Sequence, residues 1–285
     1  MQTPLFELPQ AVAPSIIAYH DESGHIGRNE RFLFHGVLFV PQAVSGDVLI
    51  ALGRERGRYG GCIHYADISD RDRDKGAAVR AWMNAYGKHI GHVCPYKCFV
   101  VDLHSPAFDR SRFREPFQIY NTFAATAIWS GLRWSFDKTS SVQLRIVSES
   151  KSRSAEDNFV SYVPASILAK AHGKLDVQFD SPALITVAGD PKAVQPEHAG
   201  HCEFLQLTDL LTSAIAEAVL AKAIRSVKQD LAGQIGQWIA DTRELPWLQE
   251  HGLHRRFSVS CFPGPGGGYI DVDLAIKRRN QAALS

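Results

Sequence analysis

The sequence has almost no net charge and few cysteines. Lys and Arg total 31 against 30 Asp and Glu, giving a formal net charge of +1. That balance excludes histone-like basic proteins, so any nucleic-acid binding has to come from a local basic patch. The five cysteines are an odd number in 285 residues, which excludes a disulfide scaffold and favours a reducing compartment.

Long apolar runs and export signals are lacking too. Nowhere do about 18 apolar residues follow one another, so we expect no membrane span. The stretch Met1–Gln10 has no basic start followed by an apolar run. The composition, 45% hydrophobic against 21% charged, is that of a folded protein. We therefore expect a folded, cytoplasmic protein.

The chain is long enough for one large domain with an insertion. We predict a main domain over residues 1–230 and a C-terminal extension over 231–285 that packs on it. Between about 45 and 91 the sequence changes character, with a break at Gly60-Gly61 and alternating charge over Asp70–Lys75. We interpret this stretch as an insertion after the second strand.

Hydrophobic spacing predicts both strands and helices, so the class is α/β. The short connection Gly24–Glu30 predicts an antiparallel hairpin of the first two strands, and Ser154 with Asp157 resembles a capping box. The predicted strands are Ser15–Tyr19, Arg31–Val40, Val93–Leu103, Ser141–Ser148 and Leu184–Val187, and the predicted helices cover Phe113–Gly131, a stretch with Phe159 and Ile167, and Glu203–Val227.

Acidic residues fall where three predicted elements meet solvent. Asp21 and Glu22 follow the first strand, Glu149 follows the fourth, and Asp209 lies on the last helix. Carboxylates that share one spot cannot all stay ionised without a cation, and hard oxygen ligands suit Mg2+ or Mn2+. Two such ions about 3.5–4 Å apart can serve phosphodiester cleavage. The alternative is that the first acidic pair belongs to an ordinary solvated turn.

Asp21 and Glu22 are expected to differ in role. Side chains alternate along a strand, so the two point to opposite faces if the strand stays regular. We favour Asp21 as the metal ligand, on the face of Ile17 and Tyr19. Glu22 then either ligates after a local twist or holds a nearby backbone or basic group.

The last helix carries a polar stripe beside its apolar positions. Gln206, Asp209, Ser213 and Glu217 form this stripe, and a solvent-exposed face is its simplest explanation. Because leucines flank the stripe closely, we predict that it is narrow and partly buried.

A zinc site is conceivable where His89, His92, Cys94 and Cys98 lie close together. The spacing lacks a Cys-x2-Cys pair and a proline interrupts it. We therefore favour ordinary packing of these residues.

Three motifs together resemble one known family. Asp21-Glu22-Ser23-Gly24 ends the first strand, Phe32-Leu33-Phe34-His35-Gly36-Val37 forms the second, and Gln206-Leu207-Thr208-Asp209-Leu210-Leu211 lies late in the chain. In order and separation they resemble the bacterial domain-of-unknown-function 3800 family, over about Ile16–Val227. The resemblance implies a ribonuclease H-like fold, which is a mixed sheet flanked by helices.

The resemblance also implies a set of metal ligands. In ribonuclease H-like proteins the acids come from the first strand, the fourth strand and a late helix, which correspond here to Asp21, Glu149 and Asp209. We expect them to hold Mg2+ or Mn2+. The family often has an aspartate at the end of the fourth strand, so the match could fall on Ser148 instead of Glu149. Glu115 is the acid available for a fourth ligand.

Further site residues follow from the same motifs. Glu22 completes the first motif, and His64 resembles a histidine that the family places in its insertion, where it would orient water or contact phosphate. A locally paired structural histidine is the alternative for His64. Basic side chains beyond the fourth strand can hold a phosphate backbone. The expected catalytic residues are Asp21, Glu22, His64, Glu149 and Asp209, and the expected substrate-binding residues are Ser23, Lys151, Arg153 and Gln206.

These observations predict a divalent-metal-dependent nuclease that hydrolyses the phosphodiesters of DNA or RNA with metal-activated water. One alternative is a catalytically inactive ribonuclease H-like module that binds nucleic acid or a protein partner. With either function, the expected partners include a second copy of the chain, as a homodimer, or another protein. Another is a hydrolase that uses Ser23 with His20 or His64, although no Gly-x-Ser-x-Gly elbow is present.

Overall fold

The computed structural model describes residues 13–26, 30–136, 140–244, 256–263 and 270–271. A π-helical turn, Tyr86–Ile90, joins the helix Arg73–Ala85 to the single helical turn Gly91–Val93. The strands are β1 Ser15–Ser23, β2 Phe32–Pro41, β3 Tyr96–Asp102, β4 Ser141–Glu149, β5 Asp176–Val187, β6 Phe257–Phe262 and β7 Ile270–Asp271. The helices are α1 Ser45–Arg56, α2 Arg73–Ala85, α3 Gly91–Val93, α4 Pro116–Ser135, α5 Phe159–Ala171, α6 Ala199–Leu220 and α7 Ser226–Glu244.

The described strands form one mixed sheet in the order β5-β4-β1-β2-β3-β6-β7. β1, β2 and β3 are antiparallel neighbours, while β4 and β5 run parallel to β1. β6 extends the other side of the sheet, parallel to β3. This arrangement confirms the predicted α/β class, a mixed sheet flanked by helices. Helices α1 to α3 are the insertion between β2 and β3.

Helices cover both faces of the sheet. Because successive side chains of β1 point to opposite faces, Ile16 and Ala18 share a core with α4 and α5, while Ile17 and Tyr19 share one with α6. Each fully buried large apolar side chain stabilises the fold by about 1.5–3 kcal/mol. This burial fixes α6 on the face of β1 that Ile17 and Tyr19 occupy.

The ends of β1 and β4 lie side by side because these strands are parallel neighbours. His20 pairs with Ser148 in the register, so Asp21 and Glu149 come next on adjacent strands. In open α/β sheets, ligands bind beyond the carboxyl ends of the strands. The strand order alone therefore places two of the predicted ligands at a ligand-binding edge.

Close approach of α6 to the sheet depends on Gly36 in β2. A β-carbon at Gly36 would overlap Thr212 Oγ1 of α6 and the phenolic oxygen of Tyr96. These two oxygens are hydrogen-bonded at 2.8 Å. The missing side chain lets α6 pack against the sheet, and this packing sets the height of Asp209 above β1.

Two helix starts differ from the prediction. α4 begins at Pro116, and Phe113 precedes it, because proline suits the first helical position. α5 begins at Phe159, so the predicted capping box of Ser154 and Asp157 is wrong. The Asp157 carboxylate instead accepts the N–H of Phe159 at 3.0 Å.

The late helix predicted as one element is two. α6 ends at Leu220, where Ala221 has a left-handed φ of 52°. α7 begins at Ser226, and the Asp70 carboxylate accepts the N–H groups of Ser226 and Val227 at 3.0 and 3.1 Å. The cap comes from a residue about 150 positions away in sequence, and apolar spacing carries no signal of it.

Strand limits also differ at both edges of the site. β1 continues to Ser23, so the acidic pair lies inside the strand. β5 begins at Asp176, well before the predicted Leu184, and β6 was not predicted.

None of the described helices is both long and apolar enough to cross a membrane.

Candidate active site

Acidic side chains from three elements meet at one end of the sheet. Asp21 of β1, Glu149 of β4 and Asp209 of α6 line both of two adjoining cavities, of about 230 and 580 Å³. His64, in the connection between α1 and α2, lines both as well. The structure thus brings the three predicted metal ligands and the predicted histidine to one place.

The smaller cavity is strongly acidic. Asp67 and Asp190 line it together with the three converging acids, which makes five carboxylates. Among the described residues that line it, His64 is the one basic side chain. Concentrated charge of one sign in a cleft attracts ions of the other sign. This cavity therefore favours a cation.

Asp21 is 5% exposed and shares the α6 side of β1 with Tyr19, as strand alternation predicts. Burial raises the pKa of Asp21 to about 7. The Lys151 ammonium opposes this rise, and three neighbouring carboxylates add to it. The Asp21 carboxylate is therefore short of positive charge, which a further cation would supply.

Glu22 lies on the opposite side of β1, near His20. Its Oε2 is 3.9 Å from His20 Nδ1, and its Oε1 is 3.1 Å from Lys151 Nζ. Burial raises the pKa of Glu22, but the Lys151 ammonium and two nearby histidines outweigh burial and lower it to about 2. Glu22 thus holds a basic group, which is one of its two expected roles.

A buried polar chain supports this corner of the sheet. His20 Nδ1 lies 3.2 Å from Ser148 Oγ, and His20 Nε2 lies 3.1 Å from His35 Nδ1. Burial lowers the pKa of His20 to about 4 and that of His35 to about 3, so both imidazoles are neutral at neutral pH. Ser148 is fully buried in this chain, whereas Glu149 lines both cavities. Glu149 is therefore the side chain that reaches the site.

Lys151 lies among the acids from both strands. Its Nζ is 3.1 Å from Asp21 Oδ1, 3.1 Å from Glu22 Oε1 and 3.7 Å from Glu149 Oε2. Burial lowers the pKa of Lys151, but the facing carboxylates outweigh burial and hold the pKa above its ordinary value. Lys151 is therefore a permanent positive charge inside the site.

Asp209 is fixed by the segment that carries His64. Its Oδ2 accepts hydrogen bonds from His64 Nδ1 and from the N–H of Tyr65, both at 2.8 Å. Its Oδ1 accepts one from Ser213 Oγ at 3.1 Å. The hydrogen bond to Asp209 raises the pKa of His64 to about 9. His64 is therefore protonated at neutral pH and donates to Asp209.

Gln206 joins α6 to the walls of the smaller cavity. Its Oε1 accepts from the N–H of Ile63 at 2.7 Å and from Arg56 at 3.0 Å, and its Nε2 donates to the Gly189 carbonyl at 3.4 Å. It is 3% exposed. These bonds make Gln206 a residue that positions the cavity walls.

No family model and no curated protein matches the chain. Among solved structures, a mutant protein of Bst-RNase HIII is similar, with 14% sequence identity and a TM-score of 0.36. The similarity covers 79% of this chain and 62% of that one, so this chain spans about three-fifths of that protein.

Of the other predicted site residues, Ser23 lines one of the two cavities, whereas Arg153 and Glu115 line neither. Ser23 lines the larger cavity. The structure does not bring Arg153 to either cavity, because Arg153 pairs with Asp157 at 2.9 Å and stacks 3.8 Å from the centre of the Phe159 ring. Glu115 is exposed at the start of α4 and lines neither cavity.

The serine-hydrolase and zinc alternatives find no support in the geometry. His20 and His64 have the hydrogen-bond partners described above, and neither is bonded to Ser23. Cys94 and Cys98 are fully buried in the core, as ordinary packing predicts. All five cysteines are free thiols.

Sequence reasoning missed two acids of the smaller cavity. Asp190 follows β5, a strand parallel to β4, so its place three residues beyond Val187 was a usable signal. Asp67 lies in a short 3-10 helix in the insertion. No spacing rule in the sequence distinguishes Asp67 from the other acids of that stretch.

The smaller cavity fits Mg2+ or Mn2+ because its donor atoms are carboxylate oxygens. One of these carboxyl groups, that of Asp21, is buried and has a raised pKa. Within the described ranges, however, no three His, Cys, Asp or Glu side chains already converge as a metal-holding group. Asp21 is bonded to Lys151, and Asp209 is bonded to His64 and Tyr65. The carboxylate donors are thus present, and in this structure they are bonded to side chains and a backbone N–H of the protein.

Proposed function

We propose that this protein is a divalent-metal-dependent phosphodiesterase acting on nucleic acid. One observation carries the proposal: carboxylates from β1, β4 and α6 line a single acidic cavity at the carboxyl ends of parallel strands. Membership of the domain-of-unknown-function 3800 family is part of the proposal and is supported by the three motifs.

Asp21, Glu149 and Asp209 are the residues that would hold the cation. When bound, Mg2+ or Mn2+ would activate a water molecule and neutralise charge on the scissile phosphate. His64 positions Asp209 through their 2.8 Å hydrogen bond, and its protonated ring suits contact with phosphate rather than removal of a proton. Lys151 holds Asp21 and Glu22 in place.

The larger cavity provides a path for the substrate. Ser23, Lys151, Lys222 and Lys228 line it together with the acids. Ammonium groups bind phosphate oxygens as point charges, without reading the base sequence. We infer that a nucleic-acid strand lies along this cavity with its scissile phosphate at Asp21.

The test is Mn2+-dependent cleavage of labelled single-stranded DNA, duplex DNA, RNA and RNA:DNA hybrid. Wild type is compared with Asp21→Asn and Asp209→Asn, and with Asp230→Asn as a matched control. Asp230 lies on α7 in a surface ion pair with Arg80 at 2.7 Å. We expect cleavage of at least one substrate by wild type and by the control, and none by the two site variants.

The opposite result favours the binding module. If no substrate is cut, or if the site variants cut as well as wild type, the nuclease proposal is wrong. The Lys151 ammonium, which already neutralises part of the acidic cluster, favours this second function. A filter-binding assay with the same labelled substrates would then show metal-independent retention that is lost when Lys222 and Lys228 are both changed to Ala.

A further inference from the structure

The position of Lys151 bears on how many metal ions the site can hold. Its Nζ is 3.1 Å from both Asp21 Oδ1 and Glu22 Oε1, and 3.7 Å from Glu149 Oε2. A group that touches carboxylates from two adjacent strands stands where a cation shared by those strands would stand. Lys151 lies two residues beyond Glu149, the last residue of β4. The direction of β4 therefore positions the Lys151 ammonium between these carboxylates.

Lys151 is held there from several directions. Its side chain is 31% exposed, and the Asp21 and Glu22 side chains that it contacts are 6% and 13% exposed. Removing such a charge leaves buried carboxylates without a partner, which is strongly unfavourable. A divalent ion would have to displace the ammonium to reach the Glu22 side of the cluster.

On the Asp209 side of the acidic cluster, Lys151 does not occupy the space between the carboxylates. The smaller cavity, about 230 Å³, reaches Asp21, Glu149 and Asp209, and Lys151 does not line it. Among its described lining residues there is no Lys or Arg. This side has carboxylate oxygens and space for an ion with its water, and its one basic side chain among the described lining residues, His64, is bonded to Asp209 Oδ2.

Two-metal nucleases place two cations between shared carboxylates, about 3.5–4 Å apart. Here we propose that the site holds one divalent cation, on the Asp209 side, and that the Lys151 ammonium supplies the second positive charge between Asp21, Glu22 and Glu149. This inference rests on the proposed function. Lys151 is in this view a permanent replacement for one metal ion and a contact for the phosphate.

Counting bound Mn2+ tests the inference without any assay of activity. Metal-free protein is titrated with MnCl2, and free Mn2+ is measured by electron paramagnetic resonance beside calorimetry. We expect one Mn2+ per chain for wild type. We expect two for Lys151→Ala, which removes the ammonium and leaves room, and one for Lys151→Arg, which keeps the charge.

Lys228→Ala is the matched control. Lys228 lines the same larger cavity, but its Nζ lies over the Tyr65 ring at 4.5 Å and donates to the Ala66 carbonyl. Among the described residues, the ion pairs of Asp21, Glu22 and Glu149 with a lysine are to Lys151 and not to Lys228. We expect one Mn2+ for this variant. A second ion there would mean that any loss of positive charge in the cavity is sufficient, which would contradict a specific role for Lys151.

The remaining outcomes separate this inference from the proposed function. Two ions in wild type, or one ion of equal affinity in wild type and Lys151→Ala, would overturn the inference and leave a metal-dependent site standing. No bound Mn2+ in wild type would contradict the proposed function itself. If Lys151→Ala does not fold, the counts for wild type and Lys151→Arg still decide, since two ions in either contradicts the inference.

Discussion

The Glu149 carboxylate occupies the space that a β-carbon on Gly189 would need. A β-carbon built on Gly189 overlaps Glu149 Oε1. Glu149 ends β4, and Gly189 lies two residues beyond Val187, the last residue of the parallel neighbour β5. The orientation of Glu149, a predicted metal ligand, therefore depends on the absence of a side chain at Gly189.

Gly189→Ala is expected to push Glu149 out of the acidic cavity. Mn2+-dependent cleavage should fall at least tenfold, and the Mn2+-induced rise in Tm should shrink, because the stabilisation by a bound ion falls with the logarithm of its affinity. Gly53→Ala in α1 is the control, since a β-carbon there meets nothing within 4 Å. Equal cleavage by Gly189→Ala and Gly53→Ala would contradict the dependence of the site on this orientation of Glu149.

Asp21 is expected to make the metal-free protein less stable as the pH rises. The ordinary pKa of an aspartate, 3.8, applies to the unfolded chain, and the folded protein raises it to about 7. Between these values the unfolded chain binds fewer protons, so the free energy of unfolding falls as the pH increases from about 4 to about 7.

Asp21→Asn removes this titration. In buffer with a chelator, the Tm of the variant relative to wild type should rise by several degrees between pH 4 and pH 8. Thermal unfolding followed by circular dichroism measures the difference. A difference that stays constant with pH would mean that Asp21 is ionised throughout this range.

His64→Gln tests the pairing with Asp209, whose effect on stability also falls as the pH rises, but over a higher pH range. Because the folded protein raises the pKa of His64 from 6.5 to about 9, the pair stabilises the fold fully below pH 6.5 and loses its effect as the pH rises through 9. His64 is half-exposed, so we expect at most about 1 kcal/mol. The Tm difference between wild type and His64→Gln should shrink from pH 6 to pH 10; a difference that grows would contradict the assignment.

Gly36→Ala is expected to disturb α6 and to weaken the site through Asp209. The added β-carbon overlaps Thr212 Oγ1 and the Tyr96 phenol, both in the core, and overpacking of this kind destabilises by about 1–3 kcal/mol. Urea unfolding measures this loss. Gly233→Ala in α7, where a β-carbon meets nothing within 4 Å, should leave stability equal or higher.

Much of the framework could be predicted from residue patterns. Strand alternation placed Asp21 with Tyr19 and separated it from Glu22, and the antiparallel pairing of β1 with β2 is confirmed. The stripe on α6 is partly buried, as its flanking leucines predicted. The errors fall where distant residues decide, as at the start of α7, where Asp70 caps the helix. The cytoplasmic location and the homodimer stay predictions.

The sequence by itself determined the strands that carry Asp21 and Glu149 and the helix that carries Asp209, because side-chain periods of 2 and 3.6 are local properties of the backbone. Only the tertiary structure decided which charges meet. Lys151 bonds Asp21 across 130 positions and His64 bonds Asp209 across 145. Such pairings depend on strand order and helix packing, which bring together groups that no local pattern relates.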